Sequence, residues 1–217
     1  MSERALVAYE RPDGRYNCHY AHWGATDGLD DRLTPATPFG GAEPRAEWAA
    51  GVLRDLLTAT DAEAPRVASR TPDDAATAVD PAPLAVAVPL EALPDHVVYG
   101  SHEALFLVDR SFGVTAFVAV SFDLASVAAA LSGIDIDPEA GGALVPVDAG
   151  TSVAALRERA AGAREALGAA IDHVDGSNRG CTPAVARAAL HETLVRWVGA
   201  DRLLVADGDH GRTGAGA

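Results

Sequence analysis

An α+β fold, with a mainly antiparallel sheet built from two hairpins and two or three helices packed on one face, is what this chain predicts. Three observations carry that expectation. Two pairs of short apolar runs are each joined by turn chemistry, at 4–23 and 103–122. Helix-periodic stretches gather in the second half. Regular strand–helix alternation, which a parallel sheet needs, is absent.

The first hairpin pairs Arg4–Glu10 with Tyr16–Trp23 across Arg11-Pro12-Asp13-Gly14, where Pro presets φ and Gly accepts φ > 0. Strand alternation puts Tyr16, Cys18, Tyr20 and His22 on one face of the second arm and Asn17, His19, Ala21 and Trp23 on the other. Neither face is plainly aliphatic. Ala25–Gly41 reads as loop, with Pro44 opening a helix whose stripe is Ala46, Ala49, Val52, Leu53 and Leu56, Trp48 at its edge. The stretch 58–83, rich in Asp, Ala, Thr and Pro, reads as a tether and a candidate for mobility. Within it, Thr71-Pro72-Asp73-Asp74 is suited to capping a short helix. Leu84–Val88 is expected as a brief strand and Pro89–Leu93 as a helical turn.

Glu103–Asp109 and Thr115–Phe122 form the second hairpin around Arg110-Ser111-Phe112-Gly113, with Gly113 expected in the left-handed position. Their near-continuous apolar character places them at the middle of the core. A short helix at Leu124–Leu131 follows, capped by Asp123, then a strand at Ala143–Val147. The longest helix carries the stripe Val153, Leu156, Ala160, Ala163, Leu167 and Ile171, with Thr151 or Ser152 as cap. The last opens at Thr182-Pro183, turns Val185, Ala189, Leu190, Leu194 and Trp197 inward and ends at Gly199. Leu203–Val205 adds an edge strand. A single domain over 1–206 and a disordered Gly-rich tail over 207–217 complete the organisation.

Composition bounds the function. The 217 residues are 48% hydrophobic, enough for a core. Acidic side chains number 31 against 17 basic, a formal net charge of −14, and every basic side chain is arginine. Asp outnumbers Glu by 20 to 11. This acidic, lysine-free surface fits a salt-adapted protein, because at about 1 M salt the Debye length of ~3 Å screens the self-repulsion. Bulk nucleic-acid binding and docking on anionic membranes are both disfavoured by such charge. Nothing at the N-terminus reads as a signal peptide and no run approaches a transmembrane span, so the expected compartment is the cytoplasm. Cys18 and Cys181 make no disulfide framework.

The opening RALVAYERPDGRYNCHYAHWGA resembles the start of a family of haloarchaeal proteins of uncharacterised function, with the pattern RALVAYERxDGxYNxHYxHWGA. Members continue to a T-P-F-G-G segment, here Thr37-Pro38-Phe39-Gly40-Gly41. The resemblance implies a halophilic habitat and carries no activity.

Candidate chemistry centres on the first hairpin. Cys18 and His22 share a face but lie about 13 Å apart at ~3.3 Å per residue, too far for one ion, and His19 points the other way. A metal would need His96 or His102 as well, so neither metal nor other cofactor is expected. Cys18 as a nucleophile would need a remote base. Ser2, exposed by loss of Met1, has no nameable oxyanion partner. Tyr9, Glu10, Asn17, Cys18, His19, Tyr20, His22 and Trp23 form the candidate pocket, at the meeting of hairpin and loop, for a small polar ligand. The expected role is a non-catalytic binding or accessory protein, engaging a small polar ligand or a protein partner. A small hydrolase with its site at this hairpin is the alternative, and a homodimer through the 151–171 helix is a third arrangement. Convergence of Cys18, His19, His22 and Glu10 in one cleft would mark the enzyme. Dispersal, or pairing with backbone on a closed surface, would mark the binding module.

Overall fold

The computed structural model describes residues 4–22, 28–41, 47–99, 101–121, 141–147, 158–163, 165–166 and 183–205. The expected helix 124–131 with Asp123, most of the helix 151–171, Trp23, Cys181 and the tail 207–217 lie outside them.

Among the described residues, seven strands form one sheet: β1 (Arg4–Glu10), β2 (Tyr16–Ala21), β3 (Val79–Val88), β4 (His102–Val108), β5 (Val114–Ser121), β6 (Gly142–Pro146) and β7 (Leu204–Val205). The helices are α1 (Leu29–Arg32), α2 (Glu47–Leu56), α3 (Ala64–Ala68) and α4 (Pro183–Val198), with helical residues also at 158–163 and 3₁₀ turns at Leu90–His96 and Ala200–Arg202. The order across the sheet is β3-β2-β1-β4-β5-β6-β7.

Both hairpins form as expected, with Ala8 opposite Cys18 in the first and Phe106 opposite Ala116 in the second. The α+β class therefore holds, but the sheet is mixed. β1 and β4 run parallel, Leu6 beside Leu105 and Val7 beside Phe106, which joins the two hairpins through their first arms. Each arm there is buried on both faces, the condition under which parallel pairing is stable.

Strand alternation sorts the core. Ala5, Val7, Tyr9, Ala104, Phe106 and Val108 pack against Ala49, Val52, Leu53 and Leu56 of α2 and against α3. On the same face, Val118, Val120, Ala143 and Val145 meet Leu190 and Leu194 of α4 and Ala160. The opposite face, with Leu6, Ala8, Cys18, Leu105, Phe117 and Leu144, is covered by Leu93, Val97 and Tyr99 in and after the 3₁₀ turn. Full burial of each α2 aliphatic contributes about 1.5–3 kcal/mol. The first hairpin is thus roofed by α1–α3, not by the C-terminal helices, which cover β5 and β6. Val185, expected inward, is exposed.

The supposed tether 58–83 holds α3 and the first half of β3. Its prolines hid the strand: Pro81 and Pro83 lack donors, yet β3 is an edge strand, where a missing N–H is tolerated and blocks further pairing. Thr71–Asp74 caps no helix and forms a turn closed by Ala75 N–H donating to Pro72 O at 3.0 Å.

The first turn closes as its residues dictate, with Gly14 at φ 78 and its N–H donating to Arg11 O at 3.0 Å. In the second, Phe112 occupies the left-handed region at φ 62, rather than Gly113. Gly113 is required for a different reason: a Cβ there would lie 2.5 Å from Asp109 Oδ2. Asp109 Oδ1 accepts from Ser111 N at 2.7 Å and Gly113 N at 2.8 Å, so its carboxylate organises the loop.

One polar cluster ties helix, hairpin and edge strand together. Asn17 Nδ2 donates to Leu56 O at 2.8 Å, and its Oδ1 accepts from Arg11 Nη1 at 3.0 Å and Ala87 N at 3.2 Å. Arg11 Nη1 also donates to Leu56 O at 3.3 Å and Ala59 O at 3.1 Å. Arg11 Nε lies 3.5 Å from Asp13 Oδ1, an ion-pair contact without hydrogen-bond geometry. Asn17→Ala is expected to destabilise the protein by about 1–3 kcal/mol, because it strands the Ala87 backbone N–H, removes one donor from Leu56 O and takes one acceptor from Arg11. A shift of the urea midpoint checks this.

Candidate functional site

The residues singled out in the sequence divide between the sheet's two faces. Tyr9, Asn17 and His19 lie under α1–α3. Cys18 lies on the far face, and Tyr20 and His22 sit at the end of β2, their rings 4.5 Å apart. Trp23 lies outside the described residues. Asn17, Cys18 and His19 are each 0% exposed and Tyr9 is 1%. The hairpin does meet the loop that follows it: Tyr9 Oη donates to Pro38 O, and Phe39 packs on Tyr9 and His19 at 6.1 and 6.0 Å between centroids. That meeting is closed, with Ala78 N and Val79 N both donating to Phe39 O.

Cys18 sits among aliphatics, and burial pushes its thiol up to about 12. Among the described residues, no three His, Cys, Asp or Glu side chains converge at metal-binding distance. His102 Nδ1 accepts from Val98 N at 2.9 Å and sits 6.1 Å, ring to ring, from Tyr20. His19 Nδ1 lies 2.9 Å from Asp80 O, which only accepts, so Nδ1 carries the proton. Its Nε2 is then a buried acceptor without a partner, with the Tyr9 ring edge-on at 5.2 Å.

An open site does exist beside this cluster. A groove of ≈ 280 Å³ lies between α2 and the two hairpin turns, its floor formed by Tyr9, Leu53, Leu57, Val108 and Phe112. Topology makes it. After β1 the chain turns outward to β2, and after β4 it turns the opposite way to β5, so the turns diverge at the carboxyl ends of a parallel pair. A crevice at such a switch point is where open sheets with parallel strands bind ligands. Pro12 and Pro35 close one side, and Glu10, Arg54, Asp109 and Arg110 stand at the strand ends and mouth. Two of the sequence candidates, Tyr9 and Glu10, therefore belong to the groove. Sequence reasoning missed Phe112, Arg110 and the outer face of α2. The signal available was Phe112 itself, an aromatic in a four-residue turn.

Burial lowers the His19 pKa from 6.5 to about 4, which fixes the sign of one pH effect. The unfolded chain takes up the proton first, so stability is whole above pH 6.5 and is lost as pH falls toward 4. The loss is roughly 3 kcal/mol for this group, and His102, also lowered by burial, adds in the same direction. His19→Gln is expected to flatten the stability profile over that window. Denaturation midpoints at a series of pH values measure it.

A model of the Family of unknown function (DUF6735) matches residues 1–206. No curated protein matches the chain, and no solved structure does.

Proposed function

The chain belongs to the Family of unknown function (DUF6735), whose description assigns no activity, and we propose that it is a non-catalytic binding protein whose ligand enters the groove at the carboxyl ends of β1 and β4. The observation that carries this reading is the groove's position at the divergence of the two turns, with an apolar floor and a charged mouth. Support comes also from the fate of the polar hairpin residues. Cys18 and His22 lie apart from His19, while Asn17 and His19 are bonded to backbone at Leu56, Ala87 and Asp80. Dispersal and backbone pairing are what a binding module requires of them. The ligand is small, and its bulk is apolar rather than polar, because Leu53, Leu57, Val108 and Phe112 offer no hydrogen bonds. No described helix is long and apolar enough to cross a membrane. An acidic chain that is not drawn to nucleic acid fits a cytoplasmic, salt-adapted setting.

Phe112 strengthens the reading. A bulky residue at φ 62 is strained, by about 1–2 kcal/mol, and such outliers gather at ligand clamps. Here the strain brings the ring to the groove floor. Saturation-transfer NMR with 1-octanol tests the proposal. Saturable binding is expected, weakened at least tenfold by Ala50→Trp, which fills the groove from an exposed position of α2. Absence of saturable binding, or equal binding by the variant, would overturn it.

A further inference from the structure

We propose that the groove selects small apolar carboxylates, with Arg54 and Arg110 receiving the carboxylate at its mouth, an inference that rests on the groove being a ligand site. The charges around the mouth sort by sheet face. Glu10 and Asp109 border the groove, but Tyr9 and Val108 point into it, so strand alternation leans the two carboxylates toward the other side. Tyr16 pairs with Glu10 across the hairpin, and its pKa is raised first by burial and then by the charges of Glu10 and Asp109, which both bear on it. Asp109 is moreover committed to its own loop, taking Ser111 Oγ at 2.6 Å besides the two backbone donors.

The cations are differently placed. Arg110 follows Asp109 in the turn, is exposed, and has no ion pair or hydrogen bond among the described residues. Arg54 stands on α2 with its side chain 79% exposed, 3.3 Å from Asp55 Oδ1. Asp55 is claimed more closely by Arg70, at 2.7 Å to Oδ2, so one carboxylate serves two guanidiniums. The groove side thus carries an excess of positive charge over an apolar floor, on a chain whose formal net charge is −14. Guanidinium is the side chain best matched to a carboxylate, which it holds through two parallel N–H donors. An apolar body with a single carboxylate satisfies floor and mouth together. A neutral molecule would leave the mouth unused, and an amine would meet like charge.

Three probes of equal length separate the possibilities: octanoate, 1-octanol and octylamine, titrated at the lowest salt that keeps the native amide spectrum, with dissociation constants from NMR. Octanoate is expected to bind at least fivefold more tightly than octanol, and octylamine more weakly than both. Arg110→Glu and Arg54→Glu, both at exposed positions, are expected to abolish the octanoate preference, read as the ratio of octanoate to octanol affinity. Equal affinity for octanoate and octanol, a preference for octylamine, or an octanoate preference untouched in both variants would overturn the inference. In those outcomes octanol binding lost in Ala50→Trp would leave the groove standing. Failure of all three probes would remove the groove as well.

Discussion

The hydrogen bonds that Asn17 and Arg11 make to the carboxyl end of α2 are the constraint on which the rest of the structure depends. A helix ends with carbonyls that no residue of its own can satisfy, and burying them unpaired is costly. Here Leu56 O and Ala59 O receive a guanidinium and an amide from the hairpin beneath. The positive charge also meets the negative end of the helix dipole. Asn17 extends the same cluster sideways to Ala87, the residue of β3 that sits at φ 58 where the pairing with β2 shifts register. Helix, turn and edge strand are thereby fixed by two buried side chains, Arg11 also lying beside Asp13.

Because α2 is also the outer wall of the groove, its placement decides whether the groove has a shape. Leu53 faces the sheet and the groove floor together, and Ala50 lies on the exposed side. The sheet contributes the other half through the opposite turning of the two hairpins. The polar side chains inside the core are bonded to backbone and to one another, Asp109 shapes a loop, Arg54 pairs with Asp55, and Arg110 has no ion pair or hydrogen bond among the described residues. His19 belongs to the first group, its neutral form enclosed by Tyr9 and Phe39, so acid weakens the fold from within rather than at the groove.

What the sequence disclosed follows from how local each feature is. The hairpins were legible because turn chemistry and alternation are neighbours in the chain. The pairing of β1 with β4 was not, since alternation names the face of a strand and is silent on its partner. The second half of β3 was legible as Leu84–Val88; its first half was obscured by Pro81 and Pro83, which read as tether unless the strand is known to lie at an edge. α2 was legible from Ala49, Val52, Leu53 and Leu56. Of the candidate residues, Tyr9 and Glu10 line the groove, while Asn17 and His19, noticed for polarity in a strand, are bonded to backbone at Leu56, Ala87 and Asp80. Arg110 and Phe112 gained meaning only once the two turns were seen to diverge beside α2.

Native-state amide hydrogen exchange on Arg11→Met tests the central dependence most directly, since Met keeps the aliphatic stem and removes the donors. Protection at the amides of α2 should fall by one to two orders of magnitude, roughly 1–3 kcal/mol of local opening, while β4 and β5 keep theirs. Unchanged protection along α2, or an equal loss in every strand, would contradict the view that this cluster seats the helix.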